Sequence, residues 1–352
     1  MDDVRPNVHP ILLSLVTYLP LAGAAAILLT RGTAQNIETA ARWVALWTSG
    51  IVFVLAVVMW AQFNPARPGI QFEQQVGWAS GAGMSYHVGV DGISLMFVLL
   101  SAFLTPLAII GGWRQVTGRV RDYMVAMLVL ETTLIGLFSA LDLVLFYVFY
   151  EATLLPASLM IGVWGGPRRV WASLQFFLFT FGGSLFMLLA LLAMWNATGT
   201  TDIVALQHHG FGHGMQCWLL AGFIIAFGVK LPLFPLHAWL PDAYTEAPTP
   251  ASVMLSGVLS KAGAYGLLRF GVMMFPDAAR LFAPVVLTLG VIAVIYAAII
   301  ALAQTDMKRV IAYSSFSHMG VIAIGLFTLT PEGIDGAIFQ MLSHGIVIAA
   351  LF

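Results

Sequence analysis

The chain has 352 residues, of which 60% are hydrophobic and only 9% charged, with a formal net charge of −1. A water-soluble domain carries roughly 25% charged residues, so this chain could not cover its own surface in water, and its near-neutral balance offers no field to attract nucleic acid. The single cysteine, Cys217, excludes an intramolecular disulfide and any all-cysteine iron–sulfur or zinc site.

Met1 to Pro10 carries Asp2 and Asp3 against Arg5 and leads to no small-residue cleavage site, so the first apolar run is expected to stay in the membrane as an anchor. A spanning helix needs roughly 20 apolar residues. Eleven candidates follow in order, near 11–29, 43–62, 90–112, 123–140, 142–163, 171–195, 216–236, 249–274, 281–303, 308–328 and 333–352. The last run is still apolar at Phe352, so either the protein ends inside the bilayer or this is an incomplete copy of a longer chain.

Loops after odd-numbered spans hold nine basic residues: Arg31, Arg42, Arg114, Arg119, Arg121, Arg168, Arg169, Lys308 and Arg309. Loops after even-numbered spans hold only Arg67 and Arg280. This excess places the odd loops in the cytoplasm and the N-terminus on the opposite side. The stretch from Ala197 to Gly214 carries His208, His209 and His213. It reads as an exposed polar loop rather than a metal site, because no acidic or cysteine partner is spaced to complete a coordination shell.

Two of the three lysines lie inside apolar runs. Lys230 follows Trp218 to Val229, and Lys261 lies within Ala251 to Ala264. Glu151 follows Phe146-Tyr-Val-Phe-Tyr150, and Glu131 sits at the centre of Met127 to Leu134. A charge at the middle of a spanning helix costs about 2.5–3.5 kcal/mol on insertion scales and marks a functional site by default. Burial lowers the pKa of a lysine and raises that of a glutamate, by as much as about 3–5 pH units. Both types are thereby drawn towards neutrality, where moving a partner switches a proton on or off. A static ion pair fixing helix packing is the competing reading for any one pair. Four such charges, with His237, His318 and His344 nearby, favour a proton path.

Prolines add a second argument. Pro232 and Pro235 cannot donate to the carbonyls of Gly228 and Leu231, so the helix is predicted to break just after Lys230 and leave carbonyls open to water or a cation. Broken helices at mid-membrane mark transporter sites. Pro156 likewise frees the carbonyl of Ala152, beside Glu151, whereas Pro106 has no charge near it and reads as a simple kink. His318, in Ala312-Tyr-Ser-Ser-Phe-Ser-His-Met-Gly320, and His344, in Gln340-Met-Leu-Ser-His-Gly345, can relay protons through either ring nitrogen. A neutral histidine bonded to a serine or carbonyl is the alternative for each. Haem ligation would need facing axial histidines, which no spacing on a single helix suggests.

The run Gly228-Val-Lys-Leu-Pro-Leu-Phe-Pro-Leu-His-Ala-Trp-Leu-Pro-Asp-Ala-Tyr-Thr-Glu-Ala-Pro-Thr-Pro250, continued through Ser252 to Phe270, resembles the signature of the antiporter-like proton-pumping membrane subunits of respiratory complex I. Asp306 to Gly320 and Leu141 to Glu151 are similar to two further blocks of that family. Tyr244 stands where the family usually has histidine, and Pro-Thr-Pro replaces Pro-Thr-Ala. Both departures lean towards the related cation/proton antiporter subunits, which stay open as the alternative.

The resemblance implies an all-α, polytopic bundle with discontinuous helices and inverted five-helix repeats, the second incomplete here. It divides the chain into N-terminal helices (1–122), a first repeat (123–274) and the start of a second (275–352). It implies that Glu151 pairs with Lys230, that Lys261 is the central lysine, and that His237, His318 and His344 line a hydrophilic axis. Asp242 and Glu246 would lie at the membrane surface. It further implies a translocase subunit with no redox cofactor in this chain. NADH, FMN, iron–sulfur clusters and quinone would belong to partner subunits. The implied surroundings are the other membrane-arm subunits and the lipid of a bacterial inner or mitochondrial inner membrane.

Overall fold

The computed structural model describes residues 11–79 and 83–352. Among them eleven segments are long and apolar enough to cross a bilayer. They comprise α1 (Ile11–Leu29), α2 (Ala34–Gln62), α3 (Gly92–Gly111), α4 (Val120–Ser139), the broken pair α5 (Leu143–Ala152) and α6 (Leu154–Trp164), and α7 (Arg169–Thr198). After a short α8 (Ile203–Gln207) come α9 (His213–Lys230), a short, largely buried helix α10 (Trp239–Glu246), and a composite span. The span is built from α11 (Thr249–Met254), a π-helical stretch Leu255–Leu259, α12 (Ser260–Gly266) and a second π-helical stretch Leu267–Val272. The last three spans are α13 (Pro276–Leu302), α14 (Met307–Phe327) and α15 (Pro331–Leu351).

All eleven predicted spans are present. The largest difference in a boundary is at α2, which begins nine residues before the predicted 43, because Thr33 caps it and the polar Ala34 to Arg42 stretch is helical although not apolar. Short polar side chains also start several of the other helices. Asp91 and Ser94 form a capping box on α3, Asp142 caps α5, Asp306 caps α14 and Thr330 caps α15, each accepting from backbone N–H groups of the first turn.

The composite span Thr249–Val272 is the axis of the bundle and is buried along nearly its whole length. By contrast α13 turns Leu281, Ile299 and Leu302 outwards, as a lipid-facing helix does. It packs on α14 where Gly290 faces Gly320. A Cβ on Gly320 would stand 2.8 Å from the carbonyl oxygen of Gly290, so only a small residue permits this approach.

Beyond the helices, the described residues form one antiparallel hairpin, β1 (Gln71–Ala79) with β2 (Met84–Val90), pairing Gln75 with His87 and Val76 with Tyr86. It lies between the second and third spans, where the sequence pattern predicts no element. The hairpin closes the end of the bundle that also carries the α4–α5 and α7–α8 turns. The N–H of Leu141 donates to the His87 carbonyl (2.8 Å), and the Asp142 carboxylate accepts from the Ser85 N–H (3.2 Å) and the Thr201 hydroxyl (2.5 Å).

Candidate functional site

Two lysines, fully buried, stand at the centre of the molecule. Helix α9 ends on Lys230, as the prolines predict, but the Gly228 carbonyl is not left open. Because Pro232 has no N–H, the chain slips by one residue and the N–H of Leu233 reaches back to the Gly228 carbonyl at 2.7 Å. That slip leaves the Val229 carbonyl without a backbone donor, and the buried indole of Trp239 fills the place at 2.8 Å. A dry interior demands this, since an unpaired buried carbonyl is costly.

The Lys230 ammonium donates to the Thr153 hydroxyl oxygen (2.9 Å) and the Tyr150 carbonyl (3.2 Å), and lies 3.5 Å from the centroid of the Tyr150 ring. Thr153 is the single residue between α5 and α6, and its own hydroxyl donates to the same Tyr150 carbonyl at 2.7 Å. The interruption beside Glu151 thus makes the socket for the lysine. Among the described residues no ion pair within 4.0 Å joins Glu151 to Lys230, in contrast to the direct pairing expected. The carboxylate is one residue along from the socket, half-buried, with Oε1 lacking a hydrogen bond. Lysine and glutamate therefore share one helix break without an ion pair between them.

Lys261 lies just after the first π-helical stretch. It donates to the Ser256 carbonyl, approaches Ser260 Oγ at 3.4 Å, and stands 2.8 Å from His344 Nδ1 on α15. The His344 ring is 5.4 Å from that of His318 on α14, whose Nδ1 is 3.3 Å from Gln340 Nε2. A file of ionisable groups thus runs from fully buried Lys261, through buried His344, to exposed His318. The lysine helices meet at Gly263, where a Cβ would lie 2.5 Å from the Leu231 nitrogen and 3.0 Å from the Lys230 carbonyl carbon.

Two other candidates stand apart. His237 packs among aromatic rings, stacked on Phe316 at 4.2 Å and flanked by Tyr296 and Phe234, with no hydrogen bond to either lysine among the described residues. Glu131 is fully buried in α4, and neither carboxylate oxygen has a hydrogen-bond partner. His208, His209 and His213 are exposed.

The sequence reading missed Tyr150 and Thr153 as partners of Lys230, and Trp239 as the donor to the neighbouring Val229 carbonyl. A threonine three residues before Pro156 was the one available signal. It also missed a second polar cluster on the hairpin end. There His87, 3% exposed, lies between Asp202 (2.7 Å from Nδ1) and Glu73 (2.8 Å from Nε2). Burial alone would lower the His87 pKa, but the two carboxylates outweigh it and hold the imidazole above its ordinary value. Beside it Arg269 pairs with Asp91 at the end of the composite span.

Over residues 140–352 the sequence matches the family described as NADH:quinone oxidoreductase/Mrp antiporter, transmembrane. It is 48% identical to NADH-quinone oxidoreductase subunit M of Rhodobacter capsulatus over 355 residues, which cover 97% of this chain and 69% of the relative. Its fold superposes on a chain of respiratory complex I from Thermus thermophilus with a TM-score of 0.87 and 33% identity, covering 96% of this chain and 69% of that one. The Mrp complex from Dietzia sp. gives a TM-score of 0.83 at 24% identity, over 96% of this chain and 36% of that one, a likeness of fold alone. With eleven spans and these relatives, this is a multi-pass membrane protein belonging to the NADH:quinone oxidoreductase/Mrp antiporter transmembrane family.

Proposed function

We propose that the chain is a proton-translocating membrane-arm subunit of an NADH–quinone oxidoreductase, the counterpart of subunit M. The observation that carries this reading is Lys230, a fully buried ammonium seated in the helix break beside Glu151. Redox energy released in partner subunits changes the distance between Glu151 and Lys230. With the carboxylate near, the ammonium keeps its proton. With it withdrawn, the dry surroundings favour the neutral amine and the proton leaves. Lys261, His344 and His318 supply the next stations.

On this reading NADH, FMN, iron–sulfur clusters and quinone belong to the partners, and the chain contributes proton movement rather than redox chemistry. The three segments 1–122, 123–274 and 275–352 serve as N-terminal helices, first repeat and start of the second. The basic end faces the cytoplasm or mitochondrial matrix, with the N-terminus opposite. Identity of 48% to subunit M, against 24% to the Mrp chain, supports this role over sodium/proton antiport.

The test is Glu151→Gln in the assembled complex, in sealed vesicles driven by NADH. Proton uptake should be abolished while the complex still assembles. Undiminished pumping would refute the role, and sodium-dependent proton flux without any electron donor would favour the antiporter.

A further inference from the structure

The elements that carry the buried charges return to one end of the bundle, and a single ion-pair cluster ties them there. The turn 165–168 follows the span that bears Glu151. Helix α10 joins the Lys230 helix to the Lys261 span, and the first turn of α14 leads to His318 nine residues beyond Arg309. Arg168 donates to Asp242 at 3.1 Å and lies 3.5 Å from Glu246 Oε1, while its backbone N–H donates to Glu246 Oε2 at 2.9 Å. From the other side Arg309 reaches the same Asp242 at 3.4 Å, and Lys308 donates to the Ala247 carbonyl at 2.7 Å. The N–H of Gly166 donates to the Glu246 carbonyl at 2.8 Å. Two loops could each be stapled by a separate pair, yet here both arginines converge on one carboxylate of α10.

That helix is in turn wired to the lysine. Trp239, its first residue, holds the Val229 carbonyl one position before Lys230. Its last residue, Glu246, is buried and walls a cavity of about 420 Å³ that Lys308 also lines. Displacement of α10 therefore pulls on the end of α9, and its tethers lead to the Glu151 span and to the His318 helix.

We propose that Arg168, Asp242, Glu246 and Arg309 form a positioning node that couples the Glu151–Lys230 pair to the Lys261–His344–His318 file. Arg168 is 52% exposed, so its pairs alone hold weakly. What the node supplies is a shared anchor, so that a shift in one half of the path is felt in the other. The inference rests on the proton-translocating reading above.

The experiment compares the complex carrying the double variant Arg168→Gln/Arg309→Gln with the unmodified complex and with Lys230→Met, in sealed vesicles. Protons moved per NADH oxidised are measured on membranes shown to hold the assembled complex. The double variant should lower that ratio by at least about twofold, the low end of a network coupling, and Arg168→Lys/Arg309→Lys should restore most of it. An unchanged ratio in the double variant, with Lys230→Met inactive in pumping, overturns the node and leaves the function standing. Normal pumping by Lys230→Met overturns the function itself. Should the double variant not assemble, Asp242→Asn takes its place, since Glu246 still holds Arg168 there. The same ratio is read, and no change again overturns the node.

Discussion

The ammonium of Lys230 and the residue Tyr150 meet twice, once at the Tyr150 carbonyl (3.2 Å) and once over the Tyr150 ring (3.5 Å to the centroid). One residue thus offers a lysine both a polar and a π acceptor, in a place from which water is excluded. The backbone acceptor is available because the helix is interrupted at Thr153, and the ring is held by Phe146 and Phe227 at 5.9 and 5.8 Å.

Thr153→Val keeps shape and removes the hydroxyl that bridges Lys230 to the Tyr150 carbonyl. A hydrogen bond to a charged group contributes about 1.5–3 kcal/mol, so the rate of coupled proton uptake should fall by about tenfold or more. Proton uptake in vesicles with matched amounts of assembled complex checks this. An unaltered rate would mean the socket has no part in holding the lysine.

Gly263→Ala sets a methyl group against the backbone of Phe227, Lys230 and Leu231, where nothing flexible can yield. Overpacking of this kind costs roughly 1–3 kcal/mol. A lower melting temperature of the purified complex, with reduced pumping, is the expected result. Gly182, whose Cβ would meet nothing within 4 Å, is the control, and Gly182→Ala should melt as the unmodified protein does.

The hairpin cluster should respond to pH. Because the His87 pKa is raised on folding, its stabilising charge is fully present below the unfolded value of about 6.5 and is lost as pH rises through the folded value. Hydrogen exchange of the hairpin amides, corrected for intrinsic rates, should therefore show less protection at alkaline pH. His87→Gln should flatten that dependence. A hairpin whose protection is independent of pH in the unmodified protein would show that the imidazole does not clamp it.

Asp91 caps α3 and faces Arg269, and although burial opposes ionisation, the guanidinium and the Ser94 bonds hold its carboxyl below the usual range. Its contribution is present above the unfolded carboxylate pKa and lost on acidification. Asp91→Ala removes the cap and leaves a buried guanidinium without its carboxylate, a loss of about 3–5 kcal/mol. Asp91→Asn keeps the cap and should lose less. Thermal melts of the two variants would separate the terms, and equal losses would contradict the ion pair's share.

Hydrophobic length and loop charge were enough to find every span, because a bilayer imposes that pattern on each segment separately. The break after Lys230 was readable for the same reason: a proline acts on its own helix. What could not be read is where the freed carbonyls turn for partners. Trp239 lies ten residues from Val229 across two prolines, and Thr153 meets Lys230 from a helix break far away in sequence. The hairpin was missed because Gln71 to Val90 mixes polar and apolar residues and is held by side chains of Asp142 and Asp202 that belong to later turns. Glu131 illustrates the opposite case. Its burial was evident from sequence, but its isolation from the other charges was not.

The two π-helical stretches on either side of Lys261 have a mechanical consequence. Each wide turn holds a surplus residue relative to the α-helix, so the span stores slack without changing length at its ends. Were one such turn to migrate past position 261, the lysine would swing about the helix axis by about 100°, while the neighbouring helices stayed where they are. A side chain on this span can be re-aimed by local rewinding, in the manner of a ratchet tooth rather than a piston.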